Sequence, residues 1–159
     1  ITLPGDPYPG YHAMAVTACM GHGDAKIVAE LPAAFDPSKI LFVGLRNWER
    51  GEIKARQHQY GIKHLTPEEV AADSDALRAW LKSCGASKVV VHFDMDVLDP
   101  AEIVAAVGTD PDGMKIEAVI RVINDIAAEK ELVGLTVAEP MPRTAIRLRD
   151  MLGRLPLLE

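Results

Sequence analysis

The chain has 159 residues, of which 48% are hydrophobic and 25% are charged. This length supports one domain with a buried core, and the apolar content excludes an intrinsically disordered protein. The net charge of −6, with the basic residues dispersed, argues against nucleic acid as a main partner, because phosphate binding requires clustered Lys and Arg side chains.

The first part of the chain predicts two helices and one buried strand. Residues 1–11 contain three prolines and two glycines, which predicts a loop with fixed bends. The small, apolar residues 12–20 predict a buried helix. Residues 40–44 form a short continuous apolar run, typical of a strand buried on both faces, and the polar residues 50–60 predict a second helix.

In the rest of the chain, helices and strands alternate. Thr66, Pro67 and Glu69 form a favourable helix start, with an N-cap, a proline in the first turn and a capping box. The predicted elements are helices over residues 66–85, 116–126 and 143–152, and strands over residues 88–93 and 132–137. This alternation is typical of a parallel sheet between helical layers. We therefore predict a single α/β domain over residues 1–159, with three α/β/α layers and a mainly parallel sheet.

Polar residues follow each of the three predicted strands. Arg46 and Glu49 follow the first strand, Asp94 and Asp96 the second, and Glu139 the third. Parallel α/β sheets bind ligands beyond the carboxyl ends of their strands. The sequence therefore predicts a site where these three strand ends meet.

The pair Asp94 and Asp96 is the most specific feature of this predicted site. In an extended chain, residues i and i+2 face the same way, so both carboxylates would point at one spot. Two carboxylates that close require a cation, and oxygen ligands suit Mg²⁺ or Mn²⁺. The alternative is that they are structural acids in a turn or at a helix N-cap. Metal binding is favoured, because acids that follow an apolar strand are costly to bury without a role.

The remaining candidates leave alternatives open. His12, at the start of an apolar helix, is either a capping residue or a proton-transfer group. Glu139 pairs either with an internal arginine such as Arg143 or with a cationic substrate. His92 is expected to be a hydrogen-bonded histidine, either in the core or behind a metal ligand, rather than a ligand itself, and His22 is expected to be a solvated turn residue.

Nothing in the sequence predicts a membrane or secretory protein. The longest apolar runs are too short to cross a bilayer and no signal-peptide pattern is recognised, so we expect a cytoplasmic protein. Cys19 and Cys84 lie in apolar stretches without metal-binding spacing and are expected to be buried thiols. The sequence opens at Ile1 rather than at a methionine, which is compatible with a start inside a longer chain.

Residues 93–100, Phe-Asp-Met-Asp-Val-Leu-Asp-Pro, resemble the second metal-binding motif of the arginase/agmatinase (ureohydrolase) family. Four further segments resemble family motifs: the Gly-Thr pair (Gly108-Thr109), the "GLRD" segment (residues 44–52), the "GLDIxEVxP" strand end (residues 134–140) and the "GNxHGM" loop (residues 10–14). These motifs occur in family order over about residues 10–140. The resemblance implies a partial arginase-like fold.

The resemblance also implies roles for individual residues. Asp94 would bridge two Mn²⁺ ions and Asp96 would bind one of them, with a metal-bridging hydroxide that attacks the guanidinium carbon of arginine, agmatine or a guanidino acid. Glu139 would accept hydrogen bonds from the guanidinium group, and His12 would shuttle protons. Glu49 lies where the family often places an acid that recognises the far end of the substrate. Family members commonly form trimers or hexamers, so a homo-oligomer is expected.

The departures from the family pattern bear on completeness and specificity. The family's other four metal ligands come from an earlier histidine and an Asp-x-His-x-Asp motif, which is absent from these 159 residues. The chain thus resembles the C-terminal portion of a ureohydrolase whose upstream half was either removed or never existed. We expect weak or absent Mn²⁺ binding and little activity from this chain alone. Asn47 and Trp48 depart from the substrate motif, as do Val104 and residues 112–113 from the metal-loop pattern.

Two other functions remain possible from the sequence. A non-catalytic relative would use the fold for binding or assembly, and the departures at Asn47 and Val104 support that alternative. A phosphotransferase of the haloacid-dehalogenase type would use Asp94 as nucleophile and Asp96 as acid/base. That motif normally lies near an N-terminus, and no convincing later lysine and acid pair follow here.

Overall fold

A computed structural model describes residues 1–8, 10–108, 110–141 and 144–158. The chain divides into two compact units, the first formed by Ile1–Phe42 with Asn47–His64 and the second by Val43–Arg46 with Leu65–Glu159. Each unit is described separately. Within the described residues, no helix has the length and apolar character needed to cross a membrane.

The described residues of the first unit form three α-helices, α1 (Ala15–Cys19), α2 (Ala25–Glu30) and α3 (Gly51–Tyr60), and a 3₁₀ turn, Pro37–Lys39. The helix predicted over residues 12–20 is confirmed only over α1, and its buried Thr17 hydroxyl donates to the carbonyl oxygen of Met14 at 2.9 Å. The short helix α2 buries no side chain. Its sequence therefore shows no apolar periodicity from which a helix could have been predicted. Helix α3 ends at Gly61 in the left-handed conformation that glycine favours.

The loop before α1 is held to α3 by a largely buried ion pair. Arg56 Nη1 lies 2.6 Å from Asp6 Oδ2, with side-chain exposures of 15% and 19%. Arg56 also donates to the main-chain carbonyl of Ile1 at 2.9 Å. The hydrogen bond from Arg56 lowers the pKa of the Asp6 carboxyl below its ordinary value. The proline-rich loop therefore has a specific electrostatic anchor.

Two short strands, β1 (Leu41–Val43) and β2 (Lys63–Leu65), form a two-stranded sheet. The predicted strand over residues 40–44 is confirmed by β1. The strand β2 was not predicted, because three residues of mixed polarity give no recognisable alternation.

In the second unit, β3 (Lys88–Asp94) pairs in parallel with β4 (Glu131–Ala138), and α5 (Ile116–Glu129) connects them. Both predicted strands and the parallel pairing are confirmed. The register shifts between Val89 and Val90, where Val133 of β4 has no partner and forms a bulge. The core lies between α4 (Asp75–Ser83) and α5, with Leu77, Leu81, Val119, Ile123 and Ile126 buried.

The helix predicted over residues 66–85 is interrupted. The capping box forms, with the Thr66 amide donating to Glu69 Oε2 at 2.7 Å, but it opens only a 3₁₀ turn, Glu68–Val70, and α4 begins later at Asp75. Arg121 of α5 donates to the main-chain carbonyls of Val70 and Ala71. In a continuous helix these carbonyls would accept hydrogen bonds from later main-chain amides. Here they accept from Arg121, so the tertiary contact takes the place of a helical turn.

The last helix, α6 (Ala145–Leu152), packs through Leu148 and Met151, which are buried. Arg154, just after this helix, forms an ion pair with Glu117 of α5 at 2.5 Å. The predicted start of this helix at Arg143 lies outside the described residues.

Candidate functional site

The candidate site lies at the carboxyl ends of β3 and β4 in the second unit. Asp94 is the last residue of β3, and Asp96 lies in the 3₁₀ turn Met95–Val97 that follows it. The Asp96 amide donates to Asp94 Oδ1 at 2.9 Å. The two acids are therefore joined by a turn and do not stand two positions apart on an extended strand as predicted. One oxygen of Asp94 caps this turn, so the structural and the functional interpretations of Asp94 are compatible.

Gly108 fixes the carboxylate of Asp96 from the other side. Its amide donates to Asp96 Oδ1 at 3.1 Å. A Cβ atom built on Gly108 would lie 2.3 Å from Asp96 Oδ2, a separation that no real contact tolerates. Only glycine therefore leaves room for the carboxylate in this position. The neighbouring Thr109 of the predicted Gly-Thr pair lies outside the described residues.

Glu139 follows β4 at the same edge of the sheet. Asp94 pairs with Ala138, so Glu139 is the next residue beyond this pair. Its backbone has φ +61°, a left-handed conformation that is uncommon for a residue with a side chain and unusual before a proline. Such conformations cluster at functional sites. Among the ion pairs between described residues none involves Glu139, and Arg143, the predicted internal partner, lies outside them.

The electrostatics of Asp96 connect the three acids. Burial raises the pKa of the Asp96 carboxyl above its ordinary value, and the charges of Asp94 and Glu139 raise it further. The hydrogen bond from Gly108 and the charge of Arg46 oppose this shift without cancelling it. The sheet edge therefore carries excess negative charge and favours an added proton or cation.

The donor set fits part of a divalent cation site. Asp94 and Asp96 each use one carboxylate oxygen in a main-chain hydrogen bond, which orients the other. Oxygen ligands suit Mn²⁺ or Mg²⁺. Across residues 1–8, 10–108, 110–141 and 144–158, however, no three His, Cys, Asp or Glu side chains form a metal-binding group. Two carboxylates are fewer than the three or four protein ligands of a strong site.

Arg46 was not assigned a role from the sequence, yet its guanidinium group lies beside this site. Its Nη2 atom donates to the main-chain carbonyl of Asp96 at 3.0 Å. Its other hydrogen bonds go to the carbonyls of Asp110 and Pro111. No local sequence signal could have identified these contacts, because the partners lie 50 to 65 positions away.

His12 belongs to the first unit. Helix α1 has Met14 at its N-cap, so His12 does not cap it. The His12 ring is exposed, and its Nε2 atom lies 2.8 Å from the hydroxyl of Tyr8. A Cβ on Gly10 would lie 2.7 Å from His12 Cε1, so the ring packs directly over this glycine. The imidazole is thus held in a defined orientation at the surface of this unit.

Glu49, also in the first unit, lies in the loop before α3. Its φ is +53°, and its amide donates to the Asn47 side-chain oxygen at 3.0 Å. The adjacent Trp48 donates from its indole nitrogen to Gln57 and has the Lys54 ammonium 4.6 Å from its ring centre. The two residues that depart from the family motif therefore stabilise the loop that carries the exposed Glu49 carboxylate.

Three other predictions have clear outcomes. His92 is exposed, so the core alternative is wrong, whereas its predicted hydrogen bond exists, to the Thr136 hydroxyl at 2.7 Å. Val90, two residues earlier in the same strand, is also exposed. His22 is exposed as predicted. Cys19 is exposed and Cys84 half-buried, so the prediction of buried thiols is wrong for Cys19.

Comparison with known proteins identifies related sequences and folds. A model of the Arginase family matches residues 6–150. An arginase from Entamoeba histolytica is 26% identical over 146 residues, which cover 89% of this chain and 49% of that protein. The chain therefore spans about half the length of the curated relative that it matches.

Solved structures agree with this match. The crystal structure of Entamoeba histolytica arginase in complex with L-ornithine superposes with a TM-score of 0.84 and 20% identity, over 97% of this chain and 55% of that one. An arginase structure from Bacillus subtilis gives a TM-score of 0.77 with 18% identity, over 89% of this chain and 51% of that one. The predicted α/β class and partial arginase-like fold are confirmed, and the haloacid-dehalogenase alternative is wrong.

Proposed function

Because this chain belongs to the arginase family, we propose that it contributes the strand-end acids of a metal-dependent hydrolase acting on a guanidinium compound. The observation that supports the proposal is that Asp94, Asp96 and Glu139 follow the carboxyl ends of the paired strands β3 and β4, where burial and then the charges of Asp94 and Glu139 raise the pKa of Asp96. Such a group of acids is stabilised by a cationic metal, a cationic substrate or both.

In this proposal Asp94 and Asp96 hold Mn²⁺. Two ions would be bound in a complete enzyme, and they would supply Lewis acidity and a water-derived nucleophile near neutral pH. The proposal assigns two carboxylates of this chain to those ions, and a complete site would need further ligands. By itself the chain is expected to bind Mn²⁺ weakly or not at all and to show little activity.

Glu139 is the proposed acceptor for the guanidinium group. A guanidinium group is planar and presents paired N–H donors that match the two oxygens of a carboxylate. The left-handed backbone of Glu139 supports this role, because strained conformations cluster at functional sites. Binding through Glu139 would orient the carbon that water attacks.

His12 and Glu49 have proposed roles in proton transfer and in recognition of the substrate's far end. Hydrolysis of the guanidinium group consumes one water and yields urea and a primary ammonium group. A proton must reach the leaving nitrogen, and an oriented imidazole such as that of His12 is suited to deliver it. The exposed carboxylate of Glu49 would contact the far end of arginine, agmatine or a guanidino acid.

The Entamoeba histolytica relative was crystallised with L-ornithine. Ornithine is the amine that remains when urea is removed from arginine, which places arginine first among the substrates to be tested. We further propose a cytoplasmic homo-oligomer, as the family resemblance implies, with no nucleic acid or membrane partner.

The decisive experiment is to express the protein from its complete gene in medium with Mn²⁺. Bound metal is measured by elemental analysis, and urea release is measured with arginine, agmatine and guanidino acids. We expect bound Mn²⁺ and urea release, both lost in Asp94→Asn and Asp96→Asn and retained in the matched surface control Asp150→Asn. A protein that folds but binds no Mn²⁺ would refute the proposal.

A non-catalytic relative is the second candidate. It is favoured by the observation that no described group of three side chains can hold a metal. Under this alternative, the protein from the complete gene would be folded and metal-free. Neither the wild-type protein nor Glu139→Gln would release urea.

A further inference from the structure

Arg46 joins two segments of the second unit that meet at the candidate site. Its Nη2 atom donates to the carbonyl oxygen of Asp96 at 3.0 Å and to that of Asp110 at 2.7 Å. Its Nε atom donates to the carbonyl oxygen of Pro111 at 3.0 Å. One guanidinium group thus bridges the turn that carries Asp96 and the loop that follows Gly108.

The same two segments are in close main-chain contact further along. The Met114 amide donates to the Val97 carbonyl at 2.8 Å, and the Asp99 amide donates to the Met114 carbonyl at 2.9 Å. A Cβ on Gly113 would lie 2.6 Å from main-chain atoms of residues 98–99. This end of the loop is therefore fixed without Arg46, so loss of Arg46 should loosen the contact near Asp96 and leave the rest of the loop attached.

We propose that Arg46 is a positioning residue for Asp96, which acts by holding the Gly108 amide against the Asp96 carboxylate. The positioning of Asp96 rests on geometry alone. Its expected consequence, a change in metal affinity, rests on the proposed function. The three hydrogen bonds of Arg46 to residues that the structure describes all go to main-chain carbonyls, so they leave both carboxylate oxygens of Asp96 unengaged by Arg46.

Arginine is required for this geometry. Its planar guanidinium group directs several N–H donors at fixed angles, so one side chain can satisfy three carbonyls on two segments. Lysine keeps the charge but places it at a single point on a flexible stem. Residues that orient metal ligands typically change metal affinity by about 10- to 100-fold when they are replaced. We expect a change of that size for Arg46→Met and a smaller one for Arg46→Lys.

The test uses protein from the complete gene and two independent measurements. Hydrogen–deuterium exchange in the metal-free protein reports protection of the Gly108 amide, and titration with Mn²⁺, followed by electron paramagnetic resonance, reports metal affinity. We expect Arg46→Met to abolish protection at Gly108, to preserve it at Met114, and to weaken Mn²⁺ binding about 10- to 100-fold. The control Arg149→Met, an exposed arginine on α6, should change neither.

The two proposals fail in different ways. Unchanged protection of Gly108 in Arg46→Met overturns the positioning role, whatever the metal affinity. Lost protection together with absent Mn²⁺ binding in the wild-type protein supports the positioning of Asp96 and refutes the proposed function. Where Arg46→Met does not fold, Arg46→Lys and Arg46→Gln supply the same comparison, and full protection at Gly108 in both contradicts the inference.

Discussion

Replacing Glu139 by glycine should stabilise the fold while removing the proposed guanidinium acceptor. A left-handed conformation costs a residue with a side chain about 1–2 kcal/mol. Glycine adopts it freely, although its greater freedom in the unfolded chain costs about 0.5–1 kcal/mol. Glu139 is exposed at φ +61°, so little packing is lost. The net expectation is a gain of about 0.5–1 kcal/mol in the free energy of unfolding.

Urea denaturation measures this gain, and Glu139→Gln is the matched reference. Both substitutions remove the Glu139 charge, which adds to burial and to the charge of Asp94 in raising the pKa of Asp96, but only glycine relieves the backbone conformation. The difference in stability between the two variants therefore isolates the backbone contribution. Leu157, which has φ +68° and lies outside the site, provides a second comparison through Leu157→Gly and Leu157→Ala.

The reasoning would be refuted if Glu139→Gly were no more stable than Glu139→Gln while Leu157→Gly exceeded Leu157→Ala. That result would mean that the left-handed backbone at Glu139 is relaxed and is not maintained at a cost. In protein from the complete gene, both Glu139 variants are expected to lose urea release.

Three further predictions concern the site and the core. Gly108→Ala should displace the Asp96 carboxylate, because the added Cβ would lie 2.3 Å from its Oδ2 atom, and should weaken Mn²⁺ binding at least about 10-fold in a metal titration. Unchanged affinity would show that Asp96 does not bind the metal. Arg121→Met removes hydrogen bonds to the carbonyls before α4 and should lower the free energy of unfolding by about 1–3 kcal/mol in urea denaturation; an unchanged midpoint would contradict the stabilising role of this contact. The pKa of Asp6 is lowered by Arg56, so the pair stabilises the fold fully above the ordinary value of 3.8 and less as the pH falls through the folded-state pKa. Asp6→Asn should therefore be less stable than wild type at pH 7, and the difference should shrink below about pH 4 in acid denaturation; a constant difference would contradict the assignment.

The parts of the fold that were predictable are those with a local signal. Strands β3 and β4 are long apolar runs, and α5 shows helical periodicity, so their positions and parallel order followed from the sequence. The acids at the strand ends followed from the same pattern, because a parallel pair places both carboxyl ends at one edge. The parallel register between Asp94 and Ala138 agrees with that expectation.

The parts that were not predictable depend on distant contacts. The late start of α4 results from Arg121, which takes carbonyls about 50 positions earlier in the chain. The roles of Arg46 and Gly108 require a loop to fold back on the turn at Asp96. The left-handed backbone of Glu139 has no sequence signature, because such conformations normally select glycine.

The unpaired Val133 fixes the register of the later residues of β4 against β3. If Val133 took a regular place in the ladder, Val137 and not Ala138 would lie opposite Asp94, and each later side chain, including Thr136 opposite His92, would turn to the other face. Glu139 would then lie one residue further from the pair at Asp94. A relative without this irregularity would thus be expected to differ in chemistry even when all three acids are kept. Homologues are better compared by the register of this strand than by motif identity alone.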